Sequence, residues 1–257
     1  MFFGQKIHPL NFDIPEQWTV NKDAVELSGP GVRLIVRCAD ITDGCLRLRF
    51  ENAADADPRQ HSDAVLPELR EGRPVAPAVS PHLNTPLLGG RETNCARFST
   101  TAGHIELSAS HLRLELAGVA LETVAEGIGA CGENLLLNFA LSGVEGCYGF
   151  GERTRRLNKL GDSAEFLTVD VVAVFRHTYA RDDYDPTYVA IPLAILKIGD
   201  GFLGLFFDNP GHAAIDAGKS HSGEFWYQAL GGVTDLYALA GPGLADVVRR
   251  YAALTGR

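Results

Sequence analysis

The sequence lacks any apolar run of the roughly 18–20 residues that a helix needs to cross a bilayer. Its opening stretch, MFFGQKIHPLNFD, has too short an apolar segment for a secretory signal peptide. The five cysteines are odd in number and form no C-x-x-C pair, which argues against a disulfide framework and against a zinc site. We therefore expect a cytoplasmic protein with reduced thiols, no metal ion and no cofactor.

Several signatures of catalysis and of charged partners are also missing. The sequence contains no G-x-S-x-G elbow and no H-E-x-x-H pair. Basic residues are outnumbered, 23 against 32 acidic ones, which leaves a net charge of −9. An acidic surface repels phosphate groups, so nucleic acids and anionic membranes are disfavoured as partners. A neutral ligand such as a sugar meets no such barrier.

The sequence is rich in short runs with period-two alternation, the pattern of a half-buried strand. In Leu46–Phe50 the apolar side chains share one face and the arginines the other. Pro192–Ile198 and Phe202–Phe207 are strongly apolar, which indicates a central hairpin buried on both faces. We predict a mainly β protein, an antiparallel β-sandwich with solvent-facing outer sides. His104 and His111 flank a predicted hairpin, and we expect them on the surface.

Two segments depart from the strand pattern. Residues 52–91 are rich in proline, alanine and charge, which predicts a long irregular loop that could hold a short helix near Asp63–Glu71. Near the end, apolar residues recur with helical spacing after Pro242, which predicts an amphipathic helix. We therefore expect one sandwich domain over residues 1–241, followed by a short C-terminal helix over residues 242–257.

The segment with the most potential chemistry is Phe175–Tyr188, which combines aromatic rings, arginines and aspartates in a predicted loop. Sugars are bound by this mixture, because rings stack on pyranose C–H faces and charged groups pair with vicinal hydroxyls. A solvated loop with local ion pairs explains the same composition. Retaining glycosidases need two carboxyl groups about 5–5.5 Å apart, whereas adjacent residues of an extended chain point to opposite faces. We therefore predict no catalytic residue in this loop. Its candidate sugar contacts are Phe175, His177, Tyr179, Arg181, Asp182 and Asp183.

Five segments resemble, in the same order, elements of glycoside hydrolase family 31, the α-glucosidase and α-xylosidase family. Each segment is short, but together they extend from Tyr148 to Arg257, whereas the first 147 residues match only in their strand character. One departure is Leu167, which replaces the tryptophan of the W-N-T-D element. The segments are Tyr148–Arg153 for G-x-G-E, Phe166–Asp170 for W-N-T-D, Asp185–Pro192 for D-P-L-Y-x-x-I-P, Gly204–Asn209 for G-I-F-F-D-N, and Gly241–Arg257 for the lead into the catalytic barrel.

The resemblance implies a galactose-mutarotase-like β-sandwich, the N-terminal domain of a retaining α-glycosidase. In this family the sandwich packs against a (β/α)₈ barrel that carries both catalytic aspartates, and one sandwich loop lines the sugar subsites. By position that loop is Val174–Tyr184. A barrel needs about 200–250 residues, and none follow Arg257, so we expect this chain alone to be inactive. Its expected partners are its own barrel and an oligosaccharide or α-glycoside substrate.

Two other functions stay open from the sequence. A free-standing carbohydrate-binding module would bind oligosaccharides without any catalytic partner. A mutarotase-like epimerase would need an acid and a base across a groove, for which His177 with Glu152 or Asp170 are conceivable. An apolar patch left uncovered by the barrel would also favour a homo-oligomer.

Overall fold

Strands dominate the computed structural model, which describes residues 12–42, 44–53, 64–80, 94–153, 156–166 and 189–256. In the first half of the chain the strands are β1 (Gln17–Val20), β2 (Val25–Gly29), β3 (Val32–Thr42), β4 (Cys45–Asn52), β5 (Arg73–Val75), β6 (Ala78–Ser80), β7 (Cys95–Ser99), β8 (Gly103–Leu107) and β9 (Leu112–Leu116). In the second half they are β10 (Val119–Cys131), β11 (Asn134–Ala140), β12 (Val144–Gly149), β13 (Ser163–Phe166), β14 (Leu193–Ile198), β15 (Gly201–Asp208), β16 (Ala213–Ala217), β17 (Glu224–Ala229) and β18 (Thr234–Gly241).

These strands form two nine-stranded sheets in which every pairing is antiparallel. The first sheet has the order β1-β2-β3-β4-β18-β15-β14-β12, with β5 added beside β3. The second sheet has the order β13-β16-β17-β11-β10-β9-β8-β7-β6. Turns rich in glycine join neighbouring strands, as at Gly199–Asp200 between β14 and β15. The predicted antiparallel β-sandwich is confirmed, and so is the hairpin of β14 and β15.

The main core lies between the two sheets and uses one side of each alternating strand. From the first sheet it receives Leu48 of β4 and Phe207 of β15, both almost completely buried. From the second it receives Phe225 and Tyr227 of β17. The rings of Phe207 and Tyr227 stack with centroids 3.9 Å apart, which joins the sheets at their centre.

A smaller apolar core covers the outer face of the first sheet. The C-terminal helix α2 (Leu244–Thr255) lies there and buries Val247 and Leu254. They pack with Phe206 of β15 and Tyr237 of β18, which belong to the same buried cluster. A Cβ atom at Gly204 would lie 2.6 Å from the Val247 side chain, so a glycine at this position lets the helix approach the sheet. The predicted C-terminal helix is confirmed.

The arginines of β4 do not face solvent, contrary to the sequence prediction for Leu46–Phe50. Arg47 is 6% exposed and Asp235, on the neighbouring strand β18, is 4% exposed. Arg49 donates two hydrogen bonds, of 2.9 and 2.8 Å, to the Asp235 carboxylate. The prediction of a solvent-facing side was wrong here, because the segment before β5 covers this face and Arg47 donates to the carbonyl oxygen of Arg70.

The segment predicted as an irregular loop contains short regular elements where the structure describes it, in residues 64–80. Helix α1 (Pro67–Arg70) starts with a proline in its first turn, where the missing N–H costs nothing. Strand β5 then pairs with β3 of the first sheet, and β6 pairs with β7 of the second. This stretch therefore runs from one sheet to the other. In the part of the chain that the structure covers, no helix has the length and apolar character needed to cross a membrane.

Candidate functional site

The six predicted sugar contacts, Phe175, His177, Tyr179, Arg181, Asp182 and Asp183, lie outside the described residues. So do Asp170 and most of the W-N-T-D-like element. The structure does describe the residues that flank this segment, Phe166 at the end of β13 and Val189 before β14. Both flanks lie beside the turn Gly149–Arg153, the G-x-G-E-like element, which we call the anchoring turn.

The anchoring turn has an unusual backbone. Gly149, Phe150 and Gly151 all have positive φ angles, of 111°, 72° and 75°. Phe150 is a bulky residue in a region that side chains disfavour, and its ring is 1% exposed, so burial holds the strained conformation in place. A Cβ atom at Gly149 would lie 2.2 Å from the Leu193 carbonyl oxygen, and one at Gly151 would lie 2.6 Å from that of Val189. Both glycines are therefore required by close backbone packing.

Arg153 ties the anchoring turn to the end of β13. Its Nη2 donates a 2.6 Å hydrogen bond to the Glu165 carbonyl oxygen, and its Nε donates a 3.1 Å bond to that of Phe150. Its guanidinium carbon lies 5.5 Å from the centre of the Phe166 ring. The rings of Phe150 and Phe166 also meet edge to face at 6.0 Å. Phe166, the last described residue before the predicted sugar segment, is thus held by the Phe150 ring and by the Arg153 guanidinium group.

The anchoring turn also holds the other flank of that segment. The Glu152 amide donates a 3.1 Å hydrogen bond to the Val189 carbonyl oxygen, and the Phe150 amide donates a 2.9 Å bond to that of Leu193. These bonds continue the pairing of β12 with β14 past the end of the ladder. One turn therefore fixes the two points between which residues 167–188 run. Sequence reasoning singled out this motif but missed the role of Arg153, which depends on contacts distant in sequence.

The structure also describes Glu152 and the cysteines. Glu152, considered above as an epimerase residue, is exposed, while its suggested partners His177 and Asp170 lie outside the described residues.

Burial raises the pKa of the thiols of Cys38, Cys45 and Cys147 to about 12, so these cysteines are protonated at neutral pH and are poor nucleophiles. Within the described ranges no group of three or more His, Cys, Asp or Glu side chains is placed to hold a metal ion.

His111 is buried, with 1% exposure, so the prediction of a surface histidine was wrong. It lies between β8 and β9, where its Nδ1 is 3.2 Å from the Thr123 hydroxyl and its Nε2 is 3.4 Å from the Glu122 carboxylate. Desolvation lowers the pKa of His111, and Glu122 opposes this effect only in part. The register shift in β10 after Thr123 is a long-range feature that no local pattern revealed.

A further group of polar side chains, which sequence reasoning missed, lies on the outer face of the second sheet. Asn138 of β11 pairs in register with Trp226 of β17. The Glu224 carboxylate accepts a 2.8 Å hydrogen bond from Asn138 Nδ2 and a 2.7 Å bond from Trp226 Nε1. The sequence pattern that indicates this group is the alternation, along β17, of Glu224, Trp226 and Gln228 with residues of the main core.

Curated proteins with detectable similarity are α-glucosidases. The chain is 34% identical over 110 residues to α-glucosidase 2 of Bacillus thermoamyloliquefaciens, a match that covers 43% of this chain and 13% of that protein. It is 29% identical over 143 residues to human neutral α-glucosidase AB, covering 47% of this chain and 15% of that protein. The chain therefore spans only a small part of the length of these relatives.

Solved structures share the fold over nearly the whole chain. The family 31 dextranase of Flavobacterium johnsoniae, complexed with isomaltotriose, has a TM-score of 0.71 at 17% identity, over 95% of this chain and 28% of that one. An α-xylosidase from a soil metagenome, complexed with xylose, has a TM-score of 0.63 at 16% identity, over 94% of this chain and 35% of that one.

The family match agrees with this architecture. The family described as "Glycosyl hydrolase 31 N-terminal galactose mutarotase-like domain" matches residues 36–216, well over half of the chain. The matched range includes both flanks of the anchoring turn and most strands of both sheets. The chain thus belongs to the N-terminal galactose-mutarotase-like domains of glycoside hydrolase family 31, a non-catalytic part of these enzymes.

Proposed function

We propose that this domain packs on the catalytic (β/α)₈ domain of an α-glycosidase and places the Val174–Tyr184 segment at its sugar subsites. The observation that carries the proposal is the anchoring turn, which binds both flanks of that segment. Hydrogen bonds from Arg153 and from the Glu152 amide hold the carbonyl groups of Glu165 and Val189, which are described on either side of residues 167–188. A loop fixed at both ends loses less conformational freedom on binding a ligand, so such anchoring favours affinity.

The substrate class follows from the relatives and from charge. The curated relatives are named α-glucosidases, which supports an α-linked glucoside as the substrate. A net charge of −9 suits a neutral sugar better than a phosphorylated one. In this proposal Arg181, Asp182 and His177 form hydrogen bonds with sugar hydroxyls, and Phe175 and Tyr179 stack on the ring. Asp183 is a further polar contact.

The contact with the catalytic domain is proposed to include the solvent face of α2. Leu244 and Val248 lie one helical turn apart and are 38% and 48% exposed. Large apolar side chains at this spacing on an open helix face suit a partner surface. The proposed partner is the barrel of the same polypeptide, and it would cover these residues without changing the sandwich core.

The experiment is a kinetic comparison of the domain joined to its catalytic domain. We expect Arg181→Ala and Asp182→Ala each to lower kcat/KM for an aryl α-glucoside about 10- to 100-fold, the loss of one hydrogen bond to a charged group. The matched control is Arg33→Ala, because Arg33 is an exposed arginine of β3 whose guanidinium pairs with Glu26. It should leave kcat/KM unchanged.

Two outcomes contradict the proposal. Unchanged kinetics in both Arg181→Ala and Asp182→Ala would remove the segment from the subsites. Hydrolysis of the same glycoside by the isolated chain would show that the sandwich is catalytic itself. Thermal unfolding of each variant serves as the check that the sandwich stays folded.

A further inference from the structure

The outer face of the second sheet carries a compact set of polar side chains on the neighbouring strands β11 and β17. Asn138 and Gln228 lie on adjacent strands of this face and are 5% and 8% exposed. Trp226 lies directly opposite Asn138 on β17, two residues before Gln228. The side chains of Phe225 and Tyr227 point the other way, into the main core. Burial of amides on an outer sheet face is costly unless hydrogen bonds satisfy them.

One atom of this set is left without a partner. Among the described residues no group donates a hydrogen bond to Asn138 Oδ1, although the atom is buried. Rotating the amide does not solve the problem, because Nδ2 would then leave the Glu224 carboxylate and Oδ1 would face it. The carboxylate therefore fixes the amide orientation. The result is a buried acceptor for which no described group of the protein supplies a donor.

The neighbouring groups define what that donor would be. Glu224 uses only Oε2 for its two hydrogen bonds, so its Oε1 is a second acceptor in this set. Gln228 makes no side-chain hydrogen bond within the described ranges and adds both a donor and an acceptor. The ring of His221 stacks on Trp226 at 4.8 Å and provides an aromatic wall at the end of the set.

We propose that Asn138, Glu224, Trp226 and Gln228 form a second carbohydrate-binding site, which takes the vicinal hydroxyls of a neutral sugar. Two adjacent hydroxyls would donate to Asn138 Oδ1 and Glu224 Oε1, and one would accept from Gln228 Nε2. An ammonium ligand could donate but could not accept from Gln228, so it matches the set less well. The site needs no catalytic domain, and it is therefore independent of the proposed function.

The test uses the sequence's two tryptophans, Trp18 and Trp226. In a Trp18→Phe background of the full chain, Trp226 is the sole indole and reports on the site through its fluorescence. We expect a saturable change on titration with methyl α-glucopyranoside or maltose, and none with methylammonium chloride. A saturable response to the amine with none to the sugars would overturn the proposal, and so would a linear drift with every additive.

Variants in the same background test the residues. Asn138→Leu and Glu224→Gln should weaken sugar binding about tenfold or more, since each removes a buried hydrogen bond. Gln228→Leu should also weaken binding, and because it breaks no described hydrogen bond it should fold even if Asn138→Leu does not. Glu26→Gln, on the exposed β2 strand of the first sheet, is the control and should bind normally. If Gln228→Leu and Glu224→Gln both bind the sugar as tightly as the Trp18→Phe background does, the site is refuted.

Discussion

The two sheets use their outer faces in opposite ways. The outer face of the first sheet is closed by α2 and by the segment before β5, which bury Phe206, Tyr237 and the Asp235–Arg49 ion pair. The outer face of the second sheet carries polar side chains that contact one another. At one end Arg113 lies between two carboxylates, and at the other Glu224 accepts from an amide and an indole.

This difference separates residues that stabilise the domain from residues available for binding. On the first sheet the Asp235 carboxylate is hydrogen-bonded to Arg49 and lies close to buried Arg47, so substitutions in this group should cost stability. On the second sheet an acceptor of Asn138 is left open and Gln228 forms no described hydrogen bond, so a substitution of Gln228 should cost little stability. The predictions below test that division, from the largest expected effect to the smallest.

Asp235→Asn should give the largest loss of stability. It removes the charge that Arg49 pairs with and that lies 3.7 Å from the Nε of buried Arg47. Breaking a buried pair from one side leaves uncompensated charge and costs about 3–5 kcal/mol. The loss of stability in Asp235→Asn is measured as the change in the free energy of unfolding in urea. Glu26→Gln, which breaks an exposed pair with Arg33, is the control and should cost about 1 kcal/mol or less. Equal losses in the two variants would contradict a structural role for Asp235.

Leu254→Ala should follow, because it empties part of the small core under α2. Leu254 is 2% exposed, and removing a buried leucine side chain costs about 2–5 kcal/mol. Val248→Ala, on the exposed side of the same helix, should change the free energy of unfolding by no more than about 0.5 kcal/mol. If both variants lose the same amount, the helix does not close the first sheet in the way described.

The two outer faces show which features of the fold can be predicted from the sequence and which cannot. Alternation in Leu46–Phe50 correctly predicted a strand, and it also separated the core side from the arginine side. It could not show that the arginine side is covered, because the cover comes from α2 and from Arg70, distant in sequence. Long-range contacts also account for the wrong prediction for His111. The family resemblance identified the motif of the anchoring turn, but the contacts of Arg153 depend on the sheets being assembled.

For the second sheet, the pH dependence of the free energy of unfolding should report the protonation of His111. Its pKa in the folded state is lowered by burial, while an unfolded histidine titrates near 6.5. The unfolded chain therefore binds more protons, so the contribution of His111 is fully present above that value and is lost as pH falls toward the folded pKa. The Glu122 carboxylate lies 3.4 Å from the same ring and 3.6 Å from the Arg113 guanidinium.

The measurement is urea unfolding from about pH 7 to about pH 5, compared between the native sequence and His111→Gln. The native sequence should lose more stability over this range than the variant. His221→Gln, at an exposed turn, should behave like the native sequence. A variant with the same pH slope as the native chain would mean that His111 does not stay neutral in the folded state.

The smallest effect is expected for Gln228→Leu. The side chain makes no hydrogen bond in the part of the chain that is described, so its loss leaves no donor or acceptor unpaired. The free energy of unfolding should change by no more than about 0.5 kcal/mol, even though the residue is only 8% exposed. A loss of several kcal/mol would place Gln228 among the structural residues and would remove the distinction between the two outer faces.

The most direct test of the central claim is a double-variant cycle on kcat/KM for an aryl α-glucoside, in the domain joined to its catalytic domain. Arg153→Gln loosens the anchoring turn, and Arg181→Ala removes a proposed sugar contact. If Arg153 acts by positioning the segment that contains Arg181, the double variant should lose no more activity than the worse single variant. Losses that multiply would mean that the two residues act independently, and would contradict the claim that this turn places the segment at the sugar.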